Sequence, residues 1–223
     1  MSDNTTTKPG CFITIEGVEG VGKTTNIEFI AEYLSLRGRA PLLTREPGGT
    51  DIAEKIRELL LHKSDEALND DAELLLVFAA RAQHLSRVIQ PAISHGEWVV
   101  CDRFTDATYA YQGGGRGLSE ERITQLENWV QGELRPDFTL LLDLPVEIGL
   151  ERAGQRSAPD RFESERIDFF ERVRAAYLKR AAQYPNQFKI VDASQSIEGV
   201  QRQLEVILEE IFKQWERTSG ISH

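Results

Sequence analysis

Cysteine and methionine are scarce in this chain of 223 residues, which holds two Cys, Cys11 and Cys101, and one Met. Two thiols build no disulfide framework; each lies beside an apolar run that reads as a strand, which fits a reducing compartment and predicts a cytoplasmic location. Long hydrophobic runs are missing as well. The longest wholly apolar stretch, Leu74 to Ala80, falls far short of the roughly 20 residues that span a bilayer. Residues 1–10 carry no apolar core, so a tail is expected there rather than a secretion signal. A basic excess is absent too: 26 Lys+Arg against 36 Asp+Glu leave a net charge of −10 and a pI near 5.0. That balance argues against nucleic acid or an anionic membrane as the main partner. A small phosphorylated ligand stays open, because it needs only a local cluster of cations. The four histidines, His62, His84, His95 and His223, show no metal-ligand spacing. No internal repeat and no dividing linker is visible.

What is present is a globular composition, 40% hydrophobic and 28% charged. Apolar, β-rich runs at 11–16, 40–44, 97–101, 138–144 and 188–192 read as strands. Helical periodicity fills most gaps between them: after the glycines to about Gly38, from a cap at Asp51 through Leu61, over about 70–95 with a bend near Pro91, from Ser119, over 146–153 and 164–182, and over 197–215. Gln112 to Gly117 reads as a glycine-rich loop. Trp98, Trp129 and Trp215 are expected in a core or an interface. Strands separated by helices imply a parallel sheet with right-handed crossovers. One domain over 11–215 is expected, with tails at 1–10 and 216–223.

One segment carries chemistry unaided. Gly17-Val18-Glu19-Gly20-Val21-Gly22-Lys23-Thr24, followed by Thr25, satisfies G-x-x-x-x-G-K-[ST], with a strand before it and an amphipathic helix after. The glycines let successive N–H groups curl around phosphate oxygens, and the helix N-terminus adds its positive end. Lys23 then reaches the β- and γ-phosphates of ATP, and the Thr24 hydroxyl is placed for Mg²⁺. The fold class that follows is α/β, a three-layer P-loop NTPase with a five-stranded parallel sheet flanked by helices. A regulatory GTPase lacks support, because no N-K-x-D tetrapeptide occurs. A translocating ATPase usually ends a strand in two acids; here the strand ends are Asp102-Arg103 and Asp143-Leu144.

Thr44-Arg45-Glu46-Pro47-Gly48-Gly49-Thr50, Phe78-Ala79-Ala80-Arg81, Asp102-Arg103-Phe104 and Thr108-Tyr109-Ala110-Tyr111-Gln112-Gly113-Gly114-Gly115 complete a pattern with the phosphate loop. Together they resemble the thymidylate kinase family, in its bacterial branch, over about residues 11–200. The resemblance implies that ATP and dTMP are the substrates, Mg²⁺ accompanies ATP, and the chain forms a homodimer. On the helix alone Phe78, among the apolar Leu74, Leu75 and Val77, reads as core; the resemblance implies instead that Phe78 is the aromatic stacked on thymine, with Arg81 as the donor to the base edge. Arg103 and Arg45 would approach the acceptor phosphate beside a loop shaped by Pro47, and Asp102 would sit near Mg²⁺. Thr108, Tyr111 and Gln112 would line the nucleoside side, with Tyr111 excluding a ribose 2′-hydroxyl and Glu19 near the 3′-hydroxyl.

The cationic stretch over about 152–163 resembles the family's lid over ATP. Because Gly20 occupies the loop position where some members carry arginine, the catalytic arginine is expected in the lid, with Arg156 the best fit and Arg152 and Arg161 in reserve. The catalytic set is then Lys23, Arg103 and Arg156. The implied reaction is in-line transfer of the γ-phosphoryl group to a dTMP phosphate oxygen, which needs no general base. Alternatives are a kinase for another nucleoside monophosphate or a deoxynucleoside, and a slowly hydrolysing P-loop switch protein.

Overall fold

A computed structural model describes residues 10–154, 161–162 and 165–218. Five strands, β1 (Phe12–Glu16), β2 (Leu42–Arg45), β3 (Val99–Asp102), β4 (Phe138–Asp143) and β5 (Phe188–Asp192), form one sheet in the order β2-β3-β1-β4-β5. Every pairing is parallel. β1 sits at the centre and is buried at each position, as is nearly all of β4, because helices cover both faces. The expected strands all form, with ends shifted by no more than a short step. Thr14 and Thr139 share a hydrogen bond of 3.0 Å between the central strands, so even their polar side chains are partnered inside the core.

The helices are α1 (Lys23–Leu36), α2 (Asp51–Leu61), α3 (Asp70–His84), α4 (Gln90–Ser94), α5 (Thr105–Thr108), α6 (Glu120–Gln131), α7 (Val146–Gly154), α8 (Ile167–Gln183) and α9 (Ile197–Thr218). The cap of α2 is Thr50, whose hydroxyl accepts from the Ala53 N–H, so Asp51 belongs to the first turn. Ser119 caps α6 as expected, accepting from Glu121. The long helical stretch from Asp70 widens to π-helical geometry over Leu85–Ile89, directly before Pro91. The proline ring and its missing N–H interrupt the regular hydrogen-bond ladder there.

Gln112 to Gly117 is not the loop that its glycines suggest. The chain from α5 continues as a π-helical segment over Tyr109–Gly115. A Cβ on Gly114 would lie 2.6 Å from Cβ of Ala176, and one on Gly115 would lie 2.5 Å from the Phe169 ring. These glycines let the segment press against α8. Trp98 is core, stacked on Phe212 at 4.9 Å, while Trp129 is 82% exposed. Among the described residues, no helix is long and apolar enough to cross a membrane.

Candidate active site

The C-terminal edge of the sheet is where ligands enter a parallel α/β fold. β1 ends there at Glu16, and the chain turns through Gly17, Gly20 and Gly22, all with positive φ, into α1. Gly20 is tightly constrained: a Cβ would lie 1.9 Å from the Gly149 carbonyl oxygen of α7. The first turn of α1 has no side-chain cap and no acid, so its N–H groups remain for an anion. Lys23 Nζ reaches back over the loop and donates to the carbonyls of Gly17 (3.2 Å) and Val18 (3.1 Å). Burial, then the Arg103 charge, lowers the Lys23 pKa.

β3 lies beside β1 with Asp102 in register with Ile15, which brings Asp102 and Arg103 against the phosphate loop. The Arg103 guanidinium donates to Glu19 at 2.5 Å and to the Tyr177 hydroxyl at 3.4 Å. It also stands 4.7 Å from the Tyr111 ring centroid. Tyr111 donates to the same Glu19 oxygen at 2.9 Å. Burial would raise the Glu19 pKa, but the charges of Arg103 and Lys23 overcome it and lower the value to about 2. Asp102 Oδ1 is buried and has no hydrogen-bond partner among the described residues.

A second cluster closes the far end. Arg81 of α3 is 1% exposed and donates from Nε to Glu46 at 2.7 Å and from Nη2 to Thr108 at 2.9 Å. Its Nη1 has no partner among the described residues. His84, one turn later, lies 3.0 Å from the other Glu46 oxygen. Gln112 is oriented by a bond of 2.7 Å to the buried Glu73. A single cavity joins this cluster to the phosphate loop, and it is lined from Glu19 through Arg103 and Tyr111 to Arg81.

Comparisons with known proteins match this architecture. The thymidylate kinase family model fits residues 15–204. A thymidylate kinase of Pseudomonas syringae pv. tomato is 61% identical over 204 residues, 92% of this chain and 97% of that protein. One from Pseudomonas putida F1 is 60% identical over the same shares. The crystal structure of thymidylate kinase from Ehrlichia chaffeensis superposes with a TM-score of 0.71 at 33% identity, covering 90% of this chain and 99% of that one. The chain belongs to the thymidylate kinase family.

Most positions that the thymidylate kinase pattern picks out do meet at the cavity: Glu19, Gly20, Val21, Gly22, Lys23, Thr24, Pro47, Arg81, Asp102, Arg103, Thr108, Tyr111 and Gln112 line it. Gly17 and Val18 form the loop floor through their carbonyls, whereas Thr25 is exposed on α1 outside the lining. Arg45 does not reach the cavity. It ends edge strand β2 on the exposed side and pairs with Glu54 of α2 at 2.9 Å. The cation from this region that lines the cavity is Arg57, which donates to the Pro47 carbonyl at 3.0 Å across the cis Glu46–Pro47 turn.

Phe78 also departs from the thymidylate kinase expectation. It packs with Leu74, Tyr109 and Ile123, and the α3 residue that lines the cavity beside Arg81 is Val77. Both are helical neighbours of Arg81, at three and four residues' distance, and spacing alone does not choose between them. Arg156 lies outside the described residues. Arg152 donates to the Ala193 carbonyl, and Arg161 donates to the Leu60 carbonyl and to Glu73. Glu46, Arg57, Leu60, Val77, Phe104 and Phe162 also line the cavity, although the sequence assigns them no role; Phe104 closes the Asp102-Arg103-Phe104 motif. Glu46 was within reach, since it lies inside the Thr44–Thr50 segment.

Proposed function

We infer that the chain transfers the γ-phosphoryl group of ATP to dTMP, giving dTDP and ADP, as a step of dTTP biosynthesis. The observation that carries this reading is one cavity lined by the phosphate loop at one end, by Arg103 in the middle and by Arg81 at the other end. The phosphate loop and α1 receive ATP, Arg103 stands between, and Arg81 lines the far end, its buried Nη1 left without a partner among the described residues as a donor for a thymine carbonyl. Thr108 and Gln112 flank that donor, and Val77 and Phe104 supply apolar wall against the base. Tyr111, held to Glu19 and close to Arg103, fits against the sugar, where it would crowd a 2′-hydroxyl.

In the transfer, an oxygen of the dTMP phosphate forms a bond to the γ-phosphorus as the bond to the bridging oxygen of ADP breaks. A phosphate dianion is already nucleophilic, so the residues act by bringing two anions together and balancing charge. Lys23 would leave the loop carbonyls for the phosphate oxygens. Arg103, with Arg57 beside it, would hold the acceptor phosphate, and a cation from the stretch over about 152–163, Arg156 in the first instance, would close on the transferring group. Thr24 and Asp102 fit Mg²⁺, because the buried Oδ1 of Asp102 is an oxygen with no other partner among the described residues. When bound there, Mg²⁺ supplies positive charge across the phosphate oxygens.

We further propose a homodimer formed through α3 and the π-helical turn that follows it, whose outward stripe of Leu75, Ala79, Ala82 and Ser86 is exposed and free of charge. The unit is a single kinase domain over 11–215, working in the cytoplasm. An ADP-release assay with ATP, offering dTMP, thymidine, dUMP, dCMP and dGMP in turn, tests the reaction. Release that depends on dTMP, with dTDP as product, is expected. Equal release without any acceptor would replace this reading by a slow P-loop hydrolase.

A further inference from the structure

Arg103 is the one non-glycine residue with left-handed backbone among the described residues, at φ 66°. An L side chain disfavours that conformation, so surrounding groups must hold it. Its own N–H donates to the Ile15 carbonyl at 3.0 Å, and the Cys101 thiol donates to its carbonyl at 3.0 Å. The following N–H, of Phe104, donates to Oε1 of Glu16 at 2.7 Å.

The guanidinium has a matching tether. Nη1 donates to the Tyr177 hydroxyl at 3.4 Å, and that hydroxyl is bonded to Oε2 of Glu16 at 2.7 Å. Both Tyr177 and Glu16 are buried. One carboxyl group therefore grips Arg103 twice, at the peptide that follows it and, through Tyr177, at its charged head. Glu19, the other hydrogen-bond partner of the head, belongs to the phosphate loop and has to share Arg103 with an arriving phosphate. Tyr177 sits on α8, beyond any of the sequence motifs and apart from the phosphate loop that carries Glu19.

We propose that Tyr177 is a positioning residue for Arg103, anchored from behind by Glu16, and that it keeps the guanidinium aimed at the acceptor phosphate when Glu19 lets go. The inference rests on the reading of Arg103 as the acceptor-phosphate group. It acts on the dTMP side of the reaction and leaves the ATP side alone.

The test is kcat and KM for both substrates, measured with radiolabelled ATP, in wild type, Tyr177→Phe, Arg103→Ala and the double variant, with melting curves for each. Tyr177→Phe keeps the ring and is expected to lower kcat/KM for dTMP about tenfold while KM for ATP stays within about twofold. In the Arg103→Ala background the same change is expected to add less than about twofold, because the hydroxyl acts through the missing guanidinium. Wild-type constants in Tyr177→Phe, or an equal loss in both backgrounds, would overturn the proposal. Glu16→Ala frees the hydroxyl from the other end and must give the same dTMP-selective, non-additive pattern; where Tyr177→Phe fails to fold, this variant decides. An inactive wild type, or a fully active Arg103→Ala, would instead remove the functional reading on which the inference stands.

Discussion

Arg81 and Glu46 form an ion pair of 2.7 Å in which both side chains are almost wholly buried. The pair lies at the end of the cavity proposed for the base, and Glu46 also meets His84, so one carboxylate holds two α3 side chains in place. Removing it leaves a buried guanidinium uncompensated. Glu46→Ala is expected to cost about 3–5 kcal/mol of stability in urea unfolding. Arg81→Ala is expected to raise KM for dTMP at least about tenfold with little change in KM for ATP. Equal effects on both substrates would argue that Arg81 serves the fold and not the base.

Val77 and Phe78 can be separated by the same two readouts. Phe78→Ala empties a site in the packed cluster with Leu74, Tyr109 and Ile123 and should lose about 3–5 kcal/mol, leaving KM for dTMP close to wild type. Val77→Ala lies at the cavity wall and should raise KM for dTMP severalfold at a smaller cost in stability. The reverse pattern would restore Phe78 as the residue against the base.

Gly20 has no room for a side chain. Gly20→Ala puts a methyl group into the Gly149 carbonyl at a positive φ, so either the loop or α7 must move. The expected result is a lower Tm together with a raised KM for ATP, read from melting curves and initial rates. An unchanged Tm would mean that the loop adopts another path.

In the proposed mechanism, Lys23→Ala and Arg103→Ala would remove cations from opposite sides of the transferring group. Each is expected to lower kcat by about a hundredfold to a thousandfold. Near-normal turnover in either variant would exclude the charge-balancing mechanism.

Two carboxyls, Glu16 fully buried and Glu19 partly exposed, give opposite pH signatures. Burial, then the nearby Asp106 charge, raises the Glu16 pKa from 4.5 to about 8. Between those values the folded chain keeps a proton that the unfolded chain has released, so this contribution to stability is complete below 4.5 and fades as pH rises through 8. Its slope reaches at most about 1.4 kcal/mol per pH unit. Glu16→Gln should remove that decline, seen as a flatter stability curve for the variant than for wild type and a difference between the two that changes from pH 5 to 8. Glu19, lowered to about 2 by Arg103 and Lys23 against the opposing effect of burial, contributes above 4.5 and loses that contribution as pH falls through 2. Glu19→Gln should therefore blunt acid unfolding. Parallel pH curves for wild type and either variant would show that the carboxyl does not titrate this way.

Local rules made much of this protein legible before any coordinates. The strand at 11–16 stops at a glycine loop whose spacing leaves few backbone paths, and the loop opens a helix, so phosphate binding follows from residues adjacent in the chain. The buried strand at 138–144 and the five-stranded parallel sheet follow equally from runs of apolar residues and the length of the helices between them. At Gln112 to Gly117 glycine signals a loop by local rules but the chain is helical through Gly115, because close packing against α8 uses the same residue for a different purpose.

The remaining decisions belong to contacts between distant segments. Val77 and Phe78 are both apolar and both a turn from Arg81, and only the packing of α3 against Tyr109 and Ile123 shows which one faces the cavity. Arg45 sits inside a strong motif yet turns to Glu54, while Arg57, in no motif, lines the cavity. Tyr177 meets Glu16 and Arg103 across 161 and 74 residues of sequence. Periodicity and spacing report which residues share a helix face or a turn; they carry no information on which face another element covers, and that is settled by how the layers close around the sheet.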